Sequence, residues 1–340
     1  MDVVCVGESL VDFLPAESAQ RVRDVSAWKP SIGGSLANVS VGVARLGGRS
    51  AYVGVVGEDE FGHFLRERLA AEGVDVSHLR QTAEAKTGLV FISIDERGER
   101  SFTYFRTRSA EFLLSERDVD PAFLERARVV HFGTNSLKLP EARAAMSRTV
   151  ETARAAGRIV SCDPNLRLHA WEDLEVLREL LGRLLPRCSV VKLSEEEVAF
   201  ATGRTEPEDA LRYLSGLGVL LPVVTRGEAG AVFLWRGEVV RVSAPRVRVV
   251  DTTGAGDGFT ASLPPRALAA LRGCLGTGGG LARGPGGAGH LRLRRGLPGG
   301  GAPRRHHGPA RPGCGRQRVA SLATGPGFLS HVVDPTKPAR

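Results

Sequence analysis

Short aliphatic runs recur along the first 250 residues, and most are followed by stretches whose apolar positions return every three or four residues. Val3 to Val6 form such a run and stop at Gly7, as a strand buried on both faces would. Similar runs over 51–56, 129–132, 158–162, 190–193, 219–224 and 247–250 predict further strands. Helical periodicity is carried by 39–46, 61–72, 141–156, 174–185, 195–202 and 208–217. Alternation of this kind predicts a doubly wound α/β fold, its mainly parallel sheet covered by helices on both faces.

Two stretches break the rhythm. Over 87–106, Val90, Ile92 and Ile94 alternate with other residues, 95–99 has turn composition, and 101–105 is aromatic and β-prone. This hairpin predicts a small β lid, built from segments at about 12–34 and 87–108. The second break is the region 263–340, where 18 Gly and 10 Pro stand among 78 residues and no sustained apolar period survives Gly273. The chain therefore divides into a domain at 1–262 and a Gly/Pro/Arg-rich tail at 263–340.

Charge sharpens that division. The net charge of +8 hides a first part with 33 basic and 37 acidic residues and a tail with 13 basic residues and one acid, Asp334. The basic character belongs to the tail, which weakens any reading of the main domain as a nucleic-acid binder. No stretch of 18 apolar residues spans a membrane, and the first residues lack leader composition. Cys5, Cys162, Cys188, Cys274 and Cys314 have no metal-binding spacing and read as reduced thiols of a cytoplasmic protein. His63, His78, His131 and His169 likewise show no ligand spacing.

The strongest chemical signal is Val249-Val-Asp-Thr-Thr-Gly-Ala-Gly-Asp-Gly-Phe259. A strand ends at Val250, glycines follow, and a helix can start near Ala255. Gly254, Ala255 and Gly256 would turn their N–H groups toward one spot, where the helix start adds partial positive charge. Such a concavity suits the negative charge that develops in phosphoryl transfer, and Asp257 in the first turn can take a proton from a hydroxyl. The plainer alternative is a tight strand–helix connection with Asp at a helix start.

With five other motifs in order, this string makes the chain resemble the ribokinase-like (PfkB) sugar kinases, and among them the bacterial and plant fructokinases. The others are Gly7-Glu-Ser-Leu-Val-Asp12, Gly33-Gly-Ser-Leu-Ala-Asn38, Val53-Gly-Val-Val-Gly-Glu-Asp-Glu-Phe-Gly62, Cys162-Asp-Pro-Asn-Leu-Arg167 and Val191-Lys-Leu-Ser-Glu-Glu-Glu197. The resemblance implies an ATP-dependent kinase with Asp257 as base and Mg²⁺ as cofactor. It assigns Asp12, Gly33, Gly34, Asn38, Tyr104, Arg106 and Arg167 to the sugar. Lys192, Ser194, Thr225, Gly227, Gly230, Gly254 and Gly256 go to the nucleotide, Glu197 to Mg²⁺ through water, and Asp251 to a monovalent cation such as K⁺. Ser194 stands where many members have Asn. Asp163 is left between two roles, orienting metal-bound water or Arg167. Relatives also pair through their lids, which makes a homodimer the expected assembly.

The resemblance ends near Ser262. Pro264 and Pro265 are expected to interrupt the helix begun at Ala255 within about two turns. The residues beyond are dominated by amino acids with GC-rich codons. We read the tail as the product of a frameshift near codons 260–265, against a genuine Arg/Gly-rich extension. Rival functions are a 2-keto-3-deoxygluconate kinase, whose acid substrate Arg106 and Arg167 would meet, and a catalytically impaired sugar- or nucleic-acid-binding protein.

Overall fold

The structure is a computed structural model that describes residues 1–17, 21–94, 100–247, 252 and 254–271. The turn at 95–99, Asp251, most of the strand expected over 247–250 and the tail beyond Leu271 lie outside these residues. The described strands are β1 Val3–Val6, β2 Leu10–Pro15, β3 Trp28–Gly33, β4 Ser50–Gly57, β5 Asp75–Thr82, β6 Leu89–Ile94, β7 Arg100–Phe105, β8 Val129–Phe132, β9 Ile159–Cys162, β10 Val190–Ser194, β11 Leu221–Thr225, β12 Ala231–Trp235 and β13 Glu238–Val242. The α-helices are α1 Ser35–Arg45, α2 Glu60–Ala71, α3 Pro121–Glu125, α4 Pro140–Ala155, α5 Leu174–Leu184, α6 Val198–Thr202, α7 Pro207–Gly216 and α8 Ala255–Leu271.

Nine strands form one sheet in the order β13-β12-β11-β10-β9-β8-β1-β4-β5, parallel except where β12 and β13 fold back. Successive residues of the central strands feed opposite cores. Val4 and Val6 of β1 pack in one apolar cluster, while Val3 and Cys5 pack in the other. β1 is thus apolar throughout, as burial on both faces demands. The chain order reverses between β1 and β8, so a crevice opens at the carboxyl ends of these neighbours, where α/β folds place their ligands.

The lid is a separate four-stranded sheet, β3-β2-β6-β7. Its anchorage explains the Val53–Gly62 motif. Asp59 caps α2 by accepting from the N–H groups of Phe61 and Gly62 at 3.1 and 2.9 Å, a bond type worth about 1 kcal/mol. The same carboxylate accepts from Thr87 N–H and Oγ1 at 2.9 and 2.8 Å, which ties the entry of β6 to the main sheet. A Cβ on Gly62 would lie 1.9 Å from the Gly57 carbonyl oxygen, so the motif's last glycine is fixed by packing.

Several expectations are corrected. The helix expected from residue 39 starts at Ser35, because Gly34 at φ +94° makes the whole turn and frees the next residues for the helix. The stretch 195–202 is a 3₁₀ turn followed by α6. Strands β5 and β13 carry polar residues that masked their pattern. Finally, α8 does not stop at Pro264 and Pro265 but runs to Leu271. The φ of proline is already helical, which lets the helix continue, although the donors opposite the Thr260 and Ala261 carbonyls are missing. Ala261 is fully buried, against Gly42 of α1, where a Cβ would lie 2.7 Å from its own, and this packing holds α8 in place.

Candidate active site

Three elements converge at the crevice: the loop after β1 with β2 of the lid, the Gly33–Gly34 turn with α1, and the start of α8. Asp12 is on β2, paired with Ser31 of β3. Gly33 leaves room for it, since a Cβ there would lie 2.5 Å from the Asp12 Cγ. Gly34 passes so close to the chain at Glu8 and Ser9 that a Cβ would lie 2.7 Å from the Glu8 carbonyl oxygen. These two glycines therefore close the turn against the Asp12 strand.

Asp257 is held from α1. Ser35 Oγ donates to its Oδ1 at 2.7 Å, and Asn38 Nδ2 donates to its Oδ2 at 2.9 Å. Ser35 and Asn38 are three residues apart on one helical face. Burial pushes the Asp257 carboxyl above its ordinary range, the two hydrogen bonds pull it back, and the nearby Asp163 adds to the rise. Gly254 has φ +73°, a conformation that favours glycine. The Ala255 N–H is engaged by the Thr252 carbonyl at 3.1 Å. Gly258 N–H donates to the Gly254 carbonyl at 2.7 Å, and Gly256 and Asp257 occupy the turn before it.

Behind this turn lies a network that sequence reasoning left unassembled. Lys192 Nζ is 3.1 Å from Asp163 Oδ2, which also accepts from Thr260 Oγ1 at 2.8 Å. All three side chains are buried. Burial works against the Lys192 ammonium, but the Asp163 and Glu197 carboxyls outweigh it and raise its pKa. A Cβ on Gly256 would lie 3.4 Å from Lys192 Nζ, so the ammonium sits directly behind the glycine loop. Asp163 thus pairs with Lys192, a partner absent from the two roles considered from sequence.

Glu197 is buried with both oxygens occupied: Oε1 accepts from Leu166 N–H at 2.5 Å and Oε2 from Ser194 N–H at 2.7 Å. With Ser194 it forms a capping box. Burial raises its pKa, to which Asp163 contributes. The described residues contain no group of three metal-ligating side chains. A Mg²⁺ ion that keeps its waters and takes phosphate oxygens fits this donor set, since it needs few protein ligands. Thr225 ends β11 and donates to the Leu193 carbonyl at 3.3 Å. Gly227 and Gly230 both have positive φ in the turn that follows.

On the lid side, Tyr104 is 43% exposed on β7, its ring 6.1 Å from that of His169. Arg106 follows β7 and donates from Nε to Glu111 Oε1 at 2.9 Å. Arg167 donates to its neighbour's carbonyl, that of Leu166, at 3.3 Å, and its charge acts on Tyr104. Ser35, Thr260, Glu8 and Glu111 were not singled out from sequence. Ser35 had a signal in its spacing from Asn38; the others show themselves only through contacts distant in sequence.

A parallel sheet with a β lid, a helix-start glycine loop and an aspartate facing a second carboxylate across a crevice define a small-molecule kinase of the sugar-kinase type. Residues 1–272 match the family model described as pfkB family carbohydrate kinase, and the chain belongs to that family. It is an ATP-dependent sugar kinase. It is similar to Probable fructokinase-6, chloroplastic, of Arabidopsis thaliana, at 40% identity over 77% of this chain and 68% of that protein. Probable fructokinase-7 of the same plant is 39% identical, over 77% of each. Among solved structures, a fructokinase with bound ATP from Xylella fastidiosa is 33% identical with a TM-score of 0.70, covering 77% of this chain and 80% of that one. A putative Ribokinase II from E. coli, in complex with ATP and Mg²⁺, is 30% identical with a TM-score of 0.73, covering 78% and 86%. No helix among the described residues is long and apolar enough to cross a membrane.

Proposed function

We propose that the chain phosphorylates fructose, transferring the γ-phosphoryl group of ATP to a primary hydroxyl. The observation that carries this reading is the Asp257 carboxylate, gripped by Ser35 and Asn38 at the first turn of α8. The fructokinase relatives support the choice of sugar.

Asp12 accepts hydrogen bonds from sugar hydroxyls at the lid, with Asn38 and the Gly33–Gly34 backbone lining the turn. Asp257 takes the proton of the hydroxyl that attacks; its oxygen bonds to the γ-phosphorus as the bond to the β-phosphate oxygen of ADP breaks. The N–H groups of Gly256 and Asp257, with Lys192 behind them, stabilise the charge on the moving group. Thr225 and the Gly227–Gly230 turn take the nucleotide phosphates. Mg²⁺ bound with ATP would supply charge neutralisation on the phosphates, and Glu197 would be the residue that holds it through water. We assign Asp251 to a monovalent cation. Tyr104 and Arg167 face the sugar from the lid side. The enzyme works in the cytoplasm as a homodimer through its lids.

A coupled ADP-release assay on fructose, ribose, adenosine and 2-keto-3-deoxygluconate tests the reading. Fructose should give the highest kcat/KM, and absence of fructose turnover beside turnover of another substrate would overturn the choice of sugar.

A further inference from the structure

The lid-side cation of the site is not free. Arg106 donates from Nε to Glu111 Oε1 at 2.9 Å, with side-chain exposures of 13% and 0%. Glu111 needs space to sit there, and Gly88 provides it: a Cβ on Gly88 would lie 2.6 Å from Glu111 Oε1. The guanidinium also lies over the Phe112 ring, its carbon 5.3 Å from the centroid. Its Nη2 is buried with no hydrogen-bond partner, and so are Glu111 Oε2 and Glu8 Oε2. Arg106 acts electrostatically on both Asp12 and Glu8, which puts its charge near both carboxyl groups.

Charge decides what can bind here. Around the crevice stand the carboxyl groups of Glu8, Asp12, Glu111 and Asp257. The cations are Arg106, Lys138, which lies over Phe112, Arg167, which acts on Tyr104, and Lys192 behind the glycine loop. A neutral polyol donates hydroxyl hydrogen bonds to these carboxyl groups and brings no charge of its own. A substrate carboxylate would have to compete with Glu111 for Arg106 in a low-dielectric setting, facing Asp12 as it entered.

We propose that Glu111 is a specificity-determining residue that positions Arg106 and neutralises it, so that the site takes neutral sugars and rejects sugar acids. The proposal rests on the sugar-kinase reading above and adds the residue that separates two substrate classes. Arg106 alone does not mark an acid-binding site, because its charge already has a buried partner. Glu111 acts through Arg106 and need not touch the substrate.

The test compares fructose with 2-keto-3-deoxygluconate in the full-length chain, the Glu111→Gln variant and the conservative Glu111→Asp variant. The parent should use the acid at least about a hundredfold less well in kcat/KM, a penalty expected for an unpaired buried charge. Glu111→Gln should shift the acid-to-fructose ratio of kcat/KM upward by about tenfold or more, with Glu111→Asp restoring the parent's preference. A ratio unmoved in Glu111→Gln would overturn the proposal, as would a parent that uses the acid within about tenfold of fructose. The parent's ratio decides the matter if Glu111→Gln does not fold. A parent that phosphorylates neither sugar would instead contradict the choice of substrate.

Discussion

Asn38 Nδ2 donates to Asp257 Oδ2 at 2.9 Å, joining side chains 219 positions apart. Ser35 Oγ holds the other oxygen at 2.7 Å. The carboxylate is therefore fixed by α1, the helix that packs against α8 at Gly42 and Ala261. Both bonds favour the charged form and hold Asp257 below the pKa that burial alone would give. Replacing Asn38 by Ala should lower kcat about tenfold and move the acid limb of the pH–rate profile upward, because a stabiliser of the carboxylate is lost. Ser35→Ala should do the same. Parallel kcat profiles of the variants and parent check this, and an unmoved limb would show that the bonds do not tune the base.

A pH dependence also follows from Asp12. Burial pushes its carboxyl up to about 7, with Arg106 lowering it and Asp257 raising it. A carboxyl that must accept hydroxyl protons loses that ability once protonated, so kcat/KM for the sugar should fall as pH drops through about 7. The fall should approach about tenfold per pH unit below that point, with ATP saturating. A profile flat from about pH 8 to about pH 5 would contradict the role of Asp12.

Glu8 gives a stability prediction of definite sign. Burial raises its pKa from 4.5 to about 7. Between those values the folded chain binds more protons than the unfolded chain, so Glu8 makes stability fall as pH rises through the window. The Glu8→Gln variant should escape this and melt higher than the parent near pH 8, with the gap closing toward about pH 5. Thermal melts at the two pH values check it; a variant less stable at both would show that Glu8 has a partner worth more than its desolvation.

The lid offers a surface for the proposed dimer. β7 is an edge strand, and Phe102, Tyr104 and Phe105 on it are 46%, 43% and 60% exposed. Apolar aromatics on an unpaired edge invite pairing with a second copy. Phe105→Glu should shift the enzyme from dimer to monomer in light scattering behind size exclusion; a monomeric parent would contradict the lid dimer.

How far the sequence led differs by element. The strands buried on both faces, such as β1, β8 and β10, were legible because burial on both sides makes them mainly apolar, with His131 of β8 and Lys192 and Ser194 of β10 as the polar positions. β5 and β13 were not: a sequence such as Asp75-Val-Ser-His has only one apolar face to bury. Asp257, Asp12 and the glycine pair stood out because their motifs are local. The Asp163–Lys192–Thr260 network and the Arg106–Glu111 pair were hidden because their meaning lies in the partner, which the parallel topology supplies from distant strands. The tail remains a proposal. A shift of reading frame should now be sought toward codon 272, where the family match ends, and not only at codons 260–265.

The central claim is that one carboxylate activates the sugar hydroxyl, and Asp257→Asn tests it most directly. The amide keeps size and can still meet Ser35 and Asn38, but it cannot take a proton. With fructose and ATP, kcat should fall by about 10²–10⁴-fold while fructose binding, followed by calorimetry, stays within about threefold. A variant that turns over within about tenfold of the parent would contradict the account.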